Sequence, residues 1–232
     1  MKTVCIVGLD RHLWDGLEDE LPEHEFWGLN QGHLVFDPRV LSRFTRWFQI
    51  HPWAPMVRRQ RPEHRHIEWL AQCGIPVYLE EVQPEIPTAL RYPYEEVVAT
   101  IGSNYFATNS FGYMVALAIH EKFEAIKLYG AGFGPKDISD AYARPCIEFL
   151  LGMAYGKGIR VSVSEGGSAL LKGDLYGRTV DQSGLALEEA LDVLRHYSGR
   201  LMYGEERLVV QEASQHLERL YQSLVGGKAR HG

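Results

Sequence analysis

Cysteine, long apolar runs and excess positive charge are all scarce in this sequence. Only three cysteines occur in 232 residues, Cys5, Cys73 and Cys146. They are far apart, with no CxxC and no Cys/His zinc spacing, so a zinc module or a disulfide framework is excluded. A reducing setting, the cytosol of a cell or of an infected host, is the expected location. The longest apolar run, YMVALAI, is far below the roughly 20 residues of a membrane-spanning helix. The opening MKTVCIVGLD runs straight into a glycine turn, so no secretory signal is expected. Lys and Arg number 24 against 30 Asp and Glu, a net charge of −6. That balance argues against a general nucleic-acid-coating role. The most basic stretch, MVRRQRPEHRHIEW, is broken by Glu63 and Glu68 and reads as solvated surface, His64 and His66 included. GxGxxG, P-loop, GxSxG and DxD motifs are missing too, as are internal repeats.

What the sequence does contain is alternation. TVCIVGL is a short apolar run ending at Gly8, and it reads as a buried parallel strand followed by a helix over 10–21. FWGLNQG is a second strand ending at Asn30, Gln31 and Gly32, and PRVLSRF a helical turn. RWFQIHP is a third strand, stopped by Pro52. PEHRHIEWLAQCG is a helix with Pro62 in its first turn and Gly74 at its end. IPVYLEE is a fourth strand, 83–93 a proline-rich loop, and a short helix starts near Pro93. A helix over 110–122, a strand AIKLYG, a glycine-rich loop, a helix over 143–158 and a strand IRVSVSE complete the pattern. This alternation predicts an α/β, Rossmann-like, mostly parallel sheet with helices on both faces, spanning 1–180. From 181 to 226 only amphipathic helices follow, predicting a C-terminal helical hairpin. It packs on the sheet or offers a surface for homo-oligomer formation.

Ligands of open parallel sheets sit beyond the carboxyl ends of the strands. Those ends supply Gly8 and Asp10, then Asn30 and Gln31, then His51, then Gly130 and Gly132. Thr108, Asn109 and Ser110 precede a long apolar helix. All three are N-capping types, and the helix N-terminus behind them favours an anion such as phosphate. They serve as a cap alone or as a ligand site. His120, late in that helix, suits its C-terminal dipole. The acid groups Glu18/Asp19/Glu20 and Glu80/Glu81 read as solvated faces.

LPEHEFWGLNQGHLVF, RWFQIHP and TNSFGYMVALAIHEKFEAIKLYGAGF resemble, in order and spacing, the lipooligosaccharide sialyltransferases of glycosyltransferase family 42. The chain also resembles 6-hydroxymethylpterin pyrophosphokinase-like proteins. YFATNS, GAGF, DAYARP and GMAYGKGIRV are similar to segments of uncharacterised, often phage-encoded proteins, which implies a bacterial or phage-infected host. The likeness covers roughly residues 1 to 178. It implies a domain that binds a nucleotide or nucleotide sugar. Asn30 matches the asparagine that contacts the donor, and Asn109 and Ser110 match a Thr-Ser pair that holds nucleotide and phosphate. His51 falls on another donor-side asparagine position. Two departures stand out: Gly132 replaces an aspartate, and no histidine lies between His120 and His196, where the sialyltransferases carry a catalytic one. Tyr142 and Arg144 lie in that region. Arg144 either clamps a diphosphate or pairs with Asp140 or Glu148, and Tyr142 is placed to donate to a leaving phosphate.

The leading expectation is a glycosyltransferase-like enzyme that binds a nucleotide-activated sugar donor and needs no metal. His51 or Asp10 is its available general base, and its acceptor is unspecified. One alternative is a pyrophosphokinase-like transferase using ATP and magnesium held by Asp137 and Asp140. Another is a non-catalytic protein that binds or sequesters a nucleotide.

Overall fold

Strands covered on both faces need apolar side chains on both sides, and the short β-branched runs supply them. A computed structural model describes residues 1–59, 61–133, 138–164, 168–171, 215 and 219. Among these, one sheet contains β1 (Thr3–Val7), β2 (Glu25–Leu29), β3 (Arg46–Gln49), β4 (Val77–Leu79), β5 (Ala89–Arg91), β6 (Ala125–Tyr129) and β7 (Arg160–Val163). The strand order is β5-β4-β3-β2-β1-β6-β7, and every neighbouring pair is parallel. The helices are α1 (Pro38–Leu41), α2 (Trp53–Arg59), α3 (His66–Gln72), α4 (Tyr94–Ile101), α5 (Ser110–His120) and α6 (Ile138–Gly156). The predicted α/β, Rossmann-like architecture is the one observed.

Alternate strand residues enter two different cores. Val4 and Ile6 of β1 join Trp27, Phe48, the α5 residues Met114 and Val115, and the α6 residues Ile147 and Leu150. Cys5 and Val7 join Phe26, Trp47 and Leu79, closed over by Leu17, Phe36, Phe44 and Leu70. Trp27, Trp47, Phe26 and Phe48 are fully buried. Each contributes roughly 2–3 kcal/mol relative to leaving it in water. Gly28 makes room for this packing, since a Cβ there would run into the Trp47 ring on the paired strand.

Some local expectations fail. The helix expected over 10–21 is only a 3-10 turn, Arg11–Leu13, capped by Asp10. Gly16, at φ +77, turns the chain, and Leu17 then drops into the core. The loop expected over 83–93 contains β5. That strand lies at the sheet edge, where flanking prolines remove no ladder donor. Helix α2 starts right after Pro52 and was not apparent in the sequence. Helix α6 begins at Ile138 rather than 143 and runs through Pro145.

Met1–Lys172 forms one compact unit and Gly173–Gly232 a second. The hairpin expected over 181–226, and with it the expected oligomer surface, lies outside the described residues. Only Gln215 and Arg219 are described there, both helical. Among the described residues no helix is long and apolar enough to cross a membrane.

Candidate functional site

The chain leaves β1 toward β2 on one side, while β6 pairs with β1 on the other, so a topological switch lies between β1 and β6. Gly8, Asp10, Gly130 and Gly132 meet at its mouth. Gly8 N donates to Tyr129 O at 2.7 Å, and Asp10 N to Gly130 O at 3.4 Å. The two backbones touch because neither glycine has a side chain. A Cβ on Gly8 would run into Gly130 O and lie 2.5 Å from Phe111 Cζ; one on Gly130, at φ +62, would lie 2.5 Å from Gly8 O. Trp14 Nε1 donates to Gly8 O at 3.0 Å and would lie 2.7 Å from a Cβ on Gly130. A Cβ on Gly132 would stand 2.9 Å from Asp10 Oδ2. An aspartate there would set two carboxylates against each other. Asp10 thus already sets a carboxylate beside Gly132.

The Thr108–Ser110 triad borders this mouth through its neighbour Phe111. Asn109 is the cap: its Oδ1 accepts from Gly112 N at 3.0 Å, and its Nδ2 donates to Thr108 Oγ1 at 3.0 Å. Gly112 lets the first turn of α5 press against Phe106 and Cys146. His120, at the far end of α5, contacts Thr100 Oγ1 through Nδ1 at 2.7 Å.

Beyond the ends of β1, β2 and β3 lies a cleft of about 490 Å³ lined by Leu9, Asn30, Gln31, Gln49, His51, Pro52, Pro55, Met56 and His66. It brings together Asn30, Gln31 and His51. Asn30 ends β2 in the left-handed region, at φ +48, a conformation Asn tolerates better than most side chains. Its backbone is pinned: its N donates to Phe48 O at 2.9 Å, and its O accepts from Trp47 Nε1 at 3.0 Å. Its side-chain Oδ1 is sealed from water and has no hydrogen-bond partner. A buried, unpaired acceptor costs about 1–3 kcal/mol.

Gln49 and His66 form the floor, and neither was anticipated as part of the site. Gln49 is 2 % exposed and His66 is fully buried, which corrects the reading of His66 as surface. The signal for Gln49 was available, as a lone uncharged polar residue in the apolar strand RWFQI. His66 Nε2 lies 2.8 Å from Gln49 Oε1. An amide oxygen only accepts, so Nε2 carries the proton and donates. His66 Nδ1 is buried without a partner. The His33 ring stacks on His66 at 5.0 Å and on Trp69 at 4.5 Å. Burial, followed by the neighbouring His33 and His64, pushes the His66 pKa down to about 4.

The remaining candidates do not line this cleft. Tyr142 is 72 % exposed on α6. Arg144 Nε donates to Glu148 Oε1 at 2.9 Å, the surface pairing that was one of its two expected roles. Asp137 lies outside the described residues. The donor atoms of Cys5, Glu20 and His24 all lie within 4.8 Å of one another, a spacing that suits a metal. Glu20 is already occupied, however. Lys127 Nζ donates to its two oxygens at 2.6 and 2.8 Å, Tyr129 OH donates to Oε1, and His24 Nδ1 lies 2.8 Å from Oε2. Burial raises the Glu20 pKa, but these hydrogen bonds outweigh it and hold the carboxyl below its ordinary range. The cluster is a closed polar network, and Glu20 is buried rather than part of a solvated face.

No family model matches the chain, and no curated protein matches it. Solved structures of similar fold include the sialyltransferase CstII from Campylobacter jejuni in complex with cytidine-5'-monophosphate. It is 16% identical, with 82% of this chain and 99% of that chain covered and a TM-score of 0.48. The sialyltransferase CST-II in complex with a trisaccharide acceptor and CMP is 15% identical, with 77% and 89% covered and a TM-score of 0.49. A thiamine pyrophosphokinase from Bacillus subtilis is 12% identical, with 71% and 61% covered and a TM-score of 0.43. The likeness is one of fold.

Proposed function

We propose that the protein is a glycosyltransferase-like enzyme whose nucleotide-activated sugar donor occupies the cleft beyond β1, β2 and β3. One observation carries this reading: Asn30 is held left-handed, with a sealed and unpaired Oδ1, in the wall of that cleft. Strained backbone and unsatisfied polar atoms concentrate where a ligand completes them. On binding, the Asn30 amide turns into the cleft, where a hydroxyl or amino group of the donor supplies the hydrogen that its Oδ1 lacks in the free protein. Gln31 adds a second amide on the same wall, and the motif resemblance assigns Asn30 to the donor as well. Gly8, Gly130 and Gly132 shape the neighbouring mouth, where Asp10 and the N-terminus of α5 with Ser110 flank the donor phosphate. His51, at the cleft rim, is the general base that takes the proton of the incoming hydroxyl.

A thermal-shift panel of nucleotides and nucleotide sugars tests this reading, because a ligand of the native state raises Tm. Asn30→Gly removes the side chain while keeping the left-handed backbone, so it folds yet loses the ligand-induced shift. An unchanged shift in Asn30→Gly would refute the assignment. A second reading, nucleotide binding without turnover, is favoured by the exposure of Tyr142 and the pairing of Arg144 with Glu148. Release of nucleoside phosphate from a bound nucleotide sugar separates the two.

A further inference from the structure

A second cleft, of about 420 Å³, opens beyond β3 and β4 and shares Gln49, His51, Pro52 and Pro55 with the first. Its other lining residues are Trp53, Ala54, Leu79, Glu80, Glu81 and Gln83. We propose that this second cleft is a subsite for a hydroxylated ligand bearing a protonated amine, such as an amino sugar. On the donor reading above, on which this step rests, that ligand is the acceptor.

Two independent observations point there. The first is charge. Glu80 and Glu81 are exposed at the cleft, and among the described residues their carboxylates make no ion pair or hydrogen bond. No lysine or arginine is among the lining residues. Two unpaired carboxylates facing one concavity attract a cation and repel a second anion. Trp53 adds an aromatic surface suited to an ammonium or a sugar ring. The second is Gln49, which is 2 % exposed and lies in the wall common to both clefts. Its Oε1 is taken by His66, while its Nε2 has no partner among the described residues. An amide N–H group left open on an otherwise buried side chain is free to donate, and a ligand hydroxyl or ring oxygen is the acceptor it suits. The ligand thus carries a cation toward Glu80 and Glu81 and oxygens toward Gln49.

His51 lines both clefts, so it stands between donor and acceptor. The acceptor hydroxyl oxygen forms the new bond to the anomeric carbon. The bond from that carbon to the donor phosphate oxygen breaks, its electron pair leaves with the nucleoside phosphate, and the hydroxyl proton passes to His51.

Saturation-transfer NMR on the full chain, with glucosamine, N-acetylglucosamine and glucose as probes at pH 6.5 and low salt, tests the subsite. Glucosamine should bind about tenfold more tightly than the two neutral sugars, a preference that salt weakens. The double variant Glu80→Gln/Glu81→Gln, altered only at exposed positions, should lose the preference while keeping the wild-type melting temperature. Asn30→Gly should retain the preference. Equal binding of the three sugars, or a preference that survives in the double glutamine variant, overturns the proposal. If the amine preference holds but no nucleotide sugar binds wild type, the donor reading falls and the amine subsite stands.

Discussion

His66 gives the sharpest quantitative prediction. Its ring is fully buried, stacked on His33, with Nε2 donating to Gln49 and Nδ1 facing no donor. A second proton on this ring would bury a charge and an unpaired N–H together. The folded state therefore holds it neutral, with a pKa of about 4 against an ordinary 6.5. Above pH 6.5 neither state binds the extra proton, and the full stability is present. As pH falls from 6.5 to about 4, only the unfolded chain binds it, and stability is lost at about 1.4 kcal/mol per pH unit, roughly 3 kcal/mol in all. Below about 4 both states bind it and this loss stops. Urea unfolding of wild type and His66→Gln at pH 7.5, 6.5, 5.5 and 4.5 isolates the effect, because glutamine keeps an N–H for Gln49 but does not titrate. The stability difference between the two proteins should narrow by about 2–3 kcal/mol from pH 7.5 to 4.5. A difference that stays constant over that range would refute the buried neutral assignment.

Two further perturbations probe the frame around the site. Glu20→Gln deprives Lys127 of its buried counter-charge and should cost about 3 kcal/mol by urea unfolding. Glu20→Gln/Lys127→Met should recover part of that loss. Gly8→Ala forces β1 and β6 apart at the switch, since its Cβ collides with the Gly130 carbonyl and the Phe111 ring. It should destabilise by about 2 kcal/mol or more, seen as a lowered Tm.

The sheet was legible because each inner strand is a short apolar run between breakers, as in TVCIV and AIKLY. Strand β5 was not, since Ala89–Arg91 has only three residues and gains its identity from pairing with β4. Asp10–Leu21 carries helix-compatible residues, yet Gly16 and the pull of Leu17 into the core override them. Of the candidate site, Asn30, Gln31 and His51 followed from the rule that ligands sit at strand ends, and the cleft gathers all three. His66 was misplaced because His64 and His66 were treated as residues of one helix. Arg65 is left-handed between them, and only His66 begins α3, facing inward. Glu20 was misplaced because its partners, Lys127 and Tyr129, lie more than 100 residues away in the sequence. Such long-range pairings leave no mark in local composition.

The central claim is that the cleft walled by Asn30 holds a nucleotide-activated sugar donor. Isothermal titration of wild type and Asn30→Gly, with the nucleotide sugar that gives the largest thermal shift, tests it most directly. Saturable one-to-one binding to wild type, weakened at least about tenfold in Asn30→Gly, corresponds to the loss of about 1.4 kcal/mol expected when one buried hydrogen bond is removed. Equal affinities for the two proteins, or no binding of any nucleotide sugar at millimolar concentration, would contradict it.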